Sequence, residues 1–336
     1  MVKVTEDKIV PINHLGKTLK SVSFDGIVNE DIVKEIQNGY YKGDRELAIE
    51  QLKKVLNKGM SKTNDIYAYY FERVANDTKM TPDKWTINEV LQSKEIIQMF
   101  YNRTLRNEKM YPDTTKVLPN FRTAIRLGGK GICRKPTQFP IKVMRELLDD
   151  YTKPGDLYYD PCCGWGMRML VSAEKGVKYI GNDVNMDLVG KLNEFGQDIN
   201  TIKDFKYAII PQGSEIYLPH LENKVDFIFT SPPYFNLEQY GGEQLTKKLD
   251  YAEWLRNFIV PLLQNCKRYI KEDKYILINI KDITGYPIYT DTKKLGIALG
   301  LELVQERDLK QTNRTHMVTK HGDSSEKIMV FKKGNN

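Results

Sequence analysis

From about residue 30 to residue 107, apolar side chains recur at three- and four-residue spacing. The segments DIVKEIQNGYY, RELAIEQLKKVLNKG, TNDIYAYYFERVAND and TINEVLQSKEIIQMFYNRTLRN each carry such a stripe, with Gly, Ser or Thr at the joins. This spacing predicts amphipathic helices. SKTND and KMTPDKW read as helix starts, the second setting Thr81 before Pro82. A Gly-rich basic stretch, NFRTAIRLGGKGICRKPTQFP at 120–140, reads as loop. Beyond it strands and helices alternate. A helix is expected at about 139–150, then a strand at DLYYDP, a helix at 165–175, a strand at KYIGND and a helix at 185–198. Strands follow at YAII and VDFIFT, then a long helix at 251–270, a strand at KYILINI, a short helix near 291–299, and strands at 301–306 and 327–332. Strands separated by helices predict right-handed βαβ units, hence an α/β fold with a doubly wound, mainly parallel sheet. The last two strands have no helix between them and should be antiparallel neighbours. The expected division is a mostly helical N-terminal domain over 1–120 and the α/β domain over 121–336, without internal repeats.

Charge changes this picture more than composition does. The 336 residues are 40% hydrophobic and 28% charged, an ordinary globular mixture. The net charge of +7 is concentrated: residues 101–142 hold ten Lys/Arg against Glu108 and Asp113, and 307–333 hold seven against three acids. Those two stretches exceed the whole positive excess and point to a polyanionic partner, although a solvated charged face is the ordinary alternative. No apolar run is long enough for a membrane span, the N-terminus lacks an apolar signal region, and four cysteines without a CxxC pair form neither a disulfide framework nor a zinc site. A cytoplasmic setting is expected.

Candidate chemistry lies at the strand ends, where open α/β sheets bind ligands. In YYDPCCGWGMRML a strand ends at Asp160, turns through Pro161, and reaches Gly164 and Gly166 before a helix. Such glycines let a ligand approach the backbone. A dinucleotide fingerprint would need a third glycine where Met169 stands, and a carboxylate at Asp160 suits a cationic amine better than a pyrophosphate. Asp183 ends the next strand, where an acid binds both ribose hydroxyls or else caps the following helix. Gly213, Ser214 and Glu215 follow the third strand and either border an adenine or, through Ser214, cap a helix. The fourth strand ends in Thr230-Ser231-Pro232-Pro233-Tyr234. Alone, that stretch is a strand-terminating turn with an aromatic.

As an ordered set these motifs resemble the S-adenosylmethionine-dependent amino-methyltransferases of DNA. Their hallmark is (D/N/S)-P-P-(Y/F/W) after a fourth strand, preceded by a D-P-x-x-G-x-G loop; TQFPIKVMRELL resembles a further cofactor segment of the family. The resemblance covers about 130–332 and implies a Rossmann-like methyltransferase domain. It implies S-adenosylmethionine held by Phe139, Asp160, Pro161, Gly164, Gly166, Asp183, Ser214 and Thr230. It further implies catalysis by Ser231, Pro232, Pro233 and Tyr234 on an exocyclic amine of a flipped base, in the manner of restriction–modification enzymes. Serine is the commoner first residue among N4-cytosine enzymes, so N4-cytosine is favoured over N6-adenine.

The vicinal Cys162 and Cys163 resemble the nucleophile of C5-cytosine methyltransferases but fall inside the cofactor loop, so they read as small buried residues. His316 and His321 lack metal-type neighbours, and no metal is expected. Only about 64 residues separate Gly166 from Ser231, which leaves no room for a large recognition insert. DNA contact is therefore expected from the helical domain and from Arg122, Arg126, Lys130, Arg134, Lys135, Arg314 and Lys320. Oligomeric state is not legible. An RNA or protein-amide N-methyltransferase is the enzymatic alternative, and a methyltransferase-like nucleic-acid-binding subunit without activity is the other.

Overall fold

A computed structural model describes residues 12–14, 17–19, 28–79, 84–105, 113, 115–128, 132–133, 136–235, 249–309 and 326–334, with backbone alone at 12–14, 17–19 and 126–128. The chain divides into two compact units. One comprises 1–42 and 75–136; the other comprises 43–74 and 137–336.

The first unit holds a short antiparallel hairpin, β1 (Ile12–His14) with β2 (Lys17–Leu19), and the helices Glu30–Gly39, Ile87–Gln92, Lys94–Leu105 and Val117–Gly128. The stretch read as loop from residue 120 is helical as far as Gly128. Leu118, Phe121 and the pair Ala124 and Ile125 recur at one-turn intervals and are all buried, with Phe121 edge-on to both Tyr40 and Phe100. Its basic residues occupy the remaining positions, which masks the stripe. TINEVLQSKEII breaks at Ser93, whose hydroxyl accepts from the Ile96 N–H, giving two helices where one was expected.

In the second unit a seven-stranded sheet is built from β3 (Leu157–Asp160), β4 (Lys178–Asn182), β5 (Tyr207–Ile210), β6 (Val225–Thr230), β7 (Ile270–Ile280), β8 (Leu301–Asp308) and β9 (Lys327–Lys333). Their spatial order is β5-β4-β3-β6-β7-β9-β8. The first five in that order are parallel, and β9 runs antiparallel to both β7 and β8. Helices Ile141–Tyr151, Met167–Lys175, Met186–Asn200 and Ile288–Ala298, and a helical run from Tyr251 to Tyr269 containing a π turn at Leu255–Ile259, connect the strands. This is the expected doubly wound, mainly parallel α/β fold. Its order reverses between β3 and β6, so the crevice at their carboxyl ends is the switch point where such sheets bind ligands.

The boundary expected at residue 120 is not where the chain divides. Residues 43–74 belong with the sheet because their aromatics pack there: Tyr70 and Phe71 lie 4.8 and 5.3 Å from Phe195. Tyr70 Oη and Arg45 Nη2 each donate at 2.5 Å to the two oxygens of the buried Asp198. In the first unit, the helix past residue 120 shares the core of Val33, Ile36, Trp85 and Phe100. Phe121→Ala should therefore cost about 3–5 kcal/mol of stability in urea unfolding; a loop phenylalanine would cost a small fraction of that.

Candidate active site

The loop after β3 has a backbone that only glycine adopts readily. Gly164 and Gly166 have φ of 53° and 71°, and a Cβ on Gly166 would lie 2.5 Å from the Phe71 ring. Gly166 then caps the helix Met167–Lys175. The loop is tied to both neighbouring strand ends. The Cys163 N–H donates to Asn182 O at 3.0 Å, and the Cys162 N–H donates to Thr230 Oγ1 at 3.1 Å.

Beneath the loop lies an ion pair the sequence did not announce. Asp160 is fully buried, and its Oδ2 accepts from Arg168 Nε at 2.7 Å and from Tyr179 Oη at 2.9 Å. Arg168 also donates from Nη2 to the Cys162 carbonyl, and its guanidinium lies 5.8 Å from the ring centres of both Phe139 and Phe229. Asp160 Oδ1 is buried without a hydrogen-bond partner, as is Asn182 Oδ1 at the end of β4.

Asp183 stands just past β4. The cap of helix Met186–Asn200 is Asn185, whose side chain accepts from the Asp187 and Leu188 N–H groups, so Asp183 is not the cap. Burial pushes the Asp183 carboxyl up to about 6, although the Asn185 and Gly164 N–H groups favour its ionised form. At the third strand end, Asn265 Nδ2 donates to the carbonyls of Ser214 and Glu215 at 3.0 and 3.1 Å. Ser214 Oγ sits 3.8 Å from Cys162 Sγ, which brings that loop against the one after β3. Cys163 is buried as expected, whereas Cys162 is half-buried; desolvation still pushes the Cys162 thiol up to about 12, leaving almost no thiolate near neutrality.

The residues Ser231-Pro232-Pro233-Tyr234 leave β6 beside this loop. Pro232 and Tyr234 are buried, while Ser231 and Pro233 are partly exposed. Tyr234 Oη donates to Glu326 Oε1 at 2.8 Å, which anchors the hydroxyl end of the ring. Asn279 Nδ2 reaches Ser231 Oγ at 3.5 Å from the neighbouring strand β7. Asp160, Pro161, Gly164, Gly166, Asp183, Ser214, Thr230 and the tetrad thus lie at or just past the carboxyl ends of β3, β4, β5 and β6, whereas Phe139 precedes the helix Ile141–Tyr151 and packs 5.1 Å from Phe229.

The family model described as DNA methylase matches residues 12–194 and 225–336. The chain belongs to the DNA methylase family. No curated protein matches it. Among solved structures, a methyltransferase from Pyrococcus furiosus is 17% identical, with a TM-score of 0.42, over 68% of this chain and 99% of its own. Magnesium protoporphyrin IX methyltransferase from Synechocystis, solved with bound SAM, is 14% identical, with a TM-score of 0.41, over 57% of this chain and 77% of its own.

The basic residues expected to meet nucleic acid are less fully placed in this methylase family member. Arg122 is engaged inside the helical unit: it donates to the Tyr40 carbonyl, and its guanidinium lies 5.2 Å from the Tyr40 ring centre. Arg126 lies on the helix Val117–Gly128, with its side chain outside the described part. Lys130, Arg134, Lys135, Arg314 and Lys320, with His316 and His321, lie outside the described residues. No helix among the described residues is long and apolar enough to cross a membrane, and no metal-type cluster occurs among them.

Arg168, Asn265, Asn279 and Glu326 went unmarked in the sequence reading. The available signal was a polar residue inside an apolar run, as in MRMLV and ILINI. Arg168→Met leaves the Asp160 carboxylate buried and uncompensated and should cost about 3–5 kcal/mol in thermal unfolding. Adding Asp160→Asn should recover most of that loss.

Proposed function

We propose that this chain transfers a methyl group from S-adenosylmethionine to the exocyclic amino nitrogen of a flipped DNA base, N4 of cytosine before N6 of adenine. The observation that carries this reading is the placement of the Ser231-Pro232 pair at the switch point, next to the glycine loop that the Cys162 N–H ties to Thr230.

The chain's own residues fit the cofactor. Asp160 Oδ1 and Asn182 Oδ1 are buried acceptors without partners, suited to a ligand that brings N–H or O–H donors. Asp183 is an acceptor for the two ribose hydroxyls. Gly164 and Gly166 keep the loop free of side chains, Phe139 and Pro161 supply apolar contact, and Ser214 and Thr230 lie at the adjacent strand ends. S-adenosylmethionine supplies an electrophilic methyl group on a sulfonium whose sulfur keeps the electron pair of the broken C–S bond.

An exocyclic amine is a poor nucleophile because its lone pair is delocalised into the ring. Ser231 Oγ and the Pro232 carbonyl accept its two hydrogens and draw the nitrogen towards tetrahedral geometry, freeing that lone pair to form the N–C bond. The prolines hold the carbonyl rigidly and offer no competing N–H. Tyr234, its hydroxyl on Glu326, stacks on the base for about 1–3 kcal/mol. The nitrogen sheds one proton to solvent after transfer, so the pocket needs no strong base. The helical unit and the basic stretches at 101–142 and 307–333 supply phosphate contacts, with Arg126, Lys130, Arg134, Lys135, Arg314 and Lys320 as contact residues and Arg122 bracing its helix.

Tritiated-methyl transfer onto defined DNA and RNA, followed by nucleoside mass spectrometry, tests the reading; label on RNA or protein alone refutes it. Ser231→Ala should leave SAM affinity unchanged and lower turnover by roughly 10²–10³-fold. Hydroxyl donors favour ionised Asp183, whose carboxyl is pushed up to about 6 by burial. SAM affinity measured by calorimetry should therefore weaken as pH falls through that value, and Asp183→Asn should flatten the dependence.

A further inference from the structure

Strand β7 carries one polar side chain in its buried half. Ile276, Leu277, Ile278 and Ile280 are fully buried, and among them Asn279 is only 3% exposed. An amide in such a place costs stability unless its hydrogen bonds are made. One of them is made at the edge of reach: Nδ2 lies 3.5 Å from Ser231 Oγ. The carbonyl Oδ1 is buried with no partner. Leucine would serve packing better here, so packing does not explain the residue.

Register explains the encounter. β6 and β7 are parallel, with Thr230 opposite Ile278, so Ser231, one residue past the end of β6, lies beside Asn279 of β7. Asn279 also faces Ile328 on β9. Among the described residues, the only side-chain hydrogen bond to Ser231 Oγ comes from Asn279.

Serine has a problem in the clamp that an ionised aspartate does not. It carries a hydrogen of its own, and a hydroxyl pointing that hydrogen at the incoming amine presents a donor to a donor. The hydrogen needs an acceptor elsewhere. A half-turn of the Asn279 amide about Cβ–Cγ exchanges the two atoms and sets Oδ1 in the position 3.5 Å from Ser231 Oγ that Nδ2 holds, without moving the backbone.

We propose that Asn279 is a positioning residue for the tetrad: its Oδ1 accepts the Ser231 hydroxyl hydrogen and leaves Oγ as an acceptor for the substrate amine. Donation into Oδ1 also polarises Oγ and strengthens it as an acceptor. The serine then does the work of a carboxylate oxygen without a buried charge. This inference rests on the methyl-transfer reading given above, and the test separates the two.

Methyl transfer from tritiated SAM onto plasmid DNA is measured for wild type, N279L and N279D, with SAM affinity and thermal unfolding measured in parallel. No transfer by the wild type overturns the methyl-transfer reading itself. With wild type active, N279L should lose about 100-fold in kcat, the size of one preorganised contact to the reacting group, while SAM affinity and the KM for DNA stay within threefold. N279D keeps an acceptor on the same stem. Its kcat should rise with pH between 5 and 9 as the introduced carboxyl ionises, a trend that wild type and N279L lack. An N279L kcat within threefold of wild type overturns the proposal. So does an N279D that stays at the N279L level across that range; should N279L fail to fold, N279D decides alone.

Discussion

The site hangs on one ion pair taken out of water. Asp160 closes β3 fully buried, and Arg168 meets it at 2.7 Å from the first turn of the next helix. A lone carboxylate in that position would be prohibitive; paired, it becomes a rigid post. Arg168 extends the order outward by holding the Cys162 carbonyl, and the Cys162 N–H in turn holds Thr230. One hydrogen-bonded chain thus runs from the end of β3 to the end of β6, and Ser231 is the next residue along. The glycines follow from the same constraint. A loop that must turn back over a buried guanidinium within four residues needs left-handed backbone at Gly164 and Gly166.

Most of the sheet was legible because its strands are short, apolar and punctuated. YAII and VDFIFT stand where β5 and β6 do, and the absence of a helix before the final strand correctly implied the antiparallel β8–β9 pair. The order of motifs along the chain placed the site at strand ends, because a parallel sheet sends alternate loops to the same edge. Strand order itself was not in the local pattern. It depends on which hydrophobic faces meet, a property of pairs of segments far apart in sequence.

Helical residues were harder to assign to a unit. RELAIEQLKKVLNKG and TINEVLQSKEII look alike as amphipathic stripes, yet the first belongs with the sheet and the second with the helical core. The partner of an apolar stripe is not written in the stripe; Tyr70 and Phe71 find Phe195, more than a hundred residues away. The helix ending at Gly128 was missed for another reason. Its polar positions are basic and its end is glycine, and both features resemble a solvated loop when the buried period of Leu118, Phe121 and Ile125 is not weighed.

The unpartnered atoms trace the same edge of the sheet. Asp160 Oδ1, Asn182 Oδ1 and Asn279 Oδ1 are all acceptors, all buried, and all at the carboxyl ends of β3, β4 and β7. Each unmet acceptor costs the free protein about 1–3 kcal/mol. Core packing has no use for them, since the apolar neighbours along the same strands fill space at no such cost. Donors from a ligand at Asp160 Oδ1 and Asn182 Oδ1, and from the Ser231 hydroxyl at Asn279 Oδ1, remove that penalty, so this edge trades stability for acceptors. Two of these oxygens lie on strands that flank the glycine loop, and the third belongs to the amide whose Nδ2 lies 3.5 Å from Ser231 Oγ. The cost of unmet acceptors therefore falls at both parts of the proposed site, beside the glycine loop and beside Ser231.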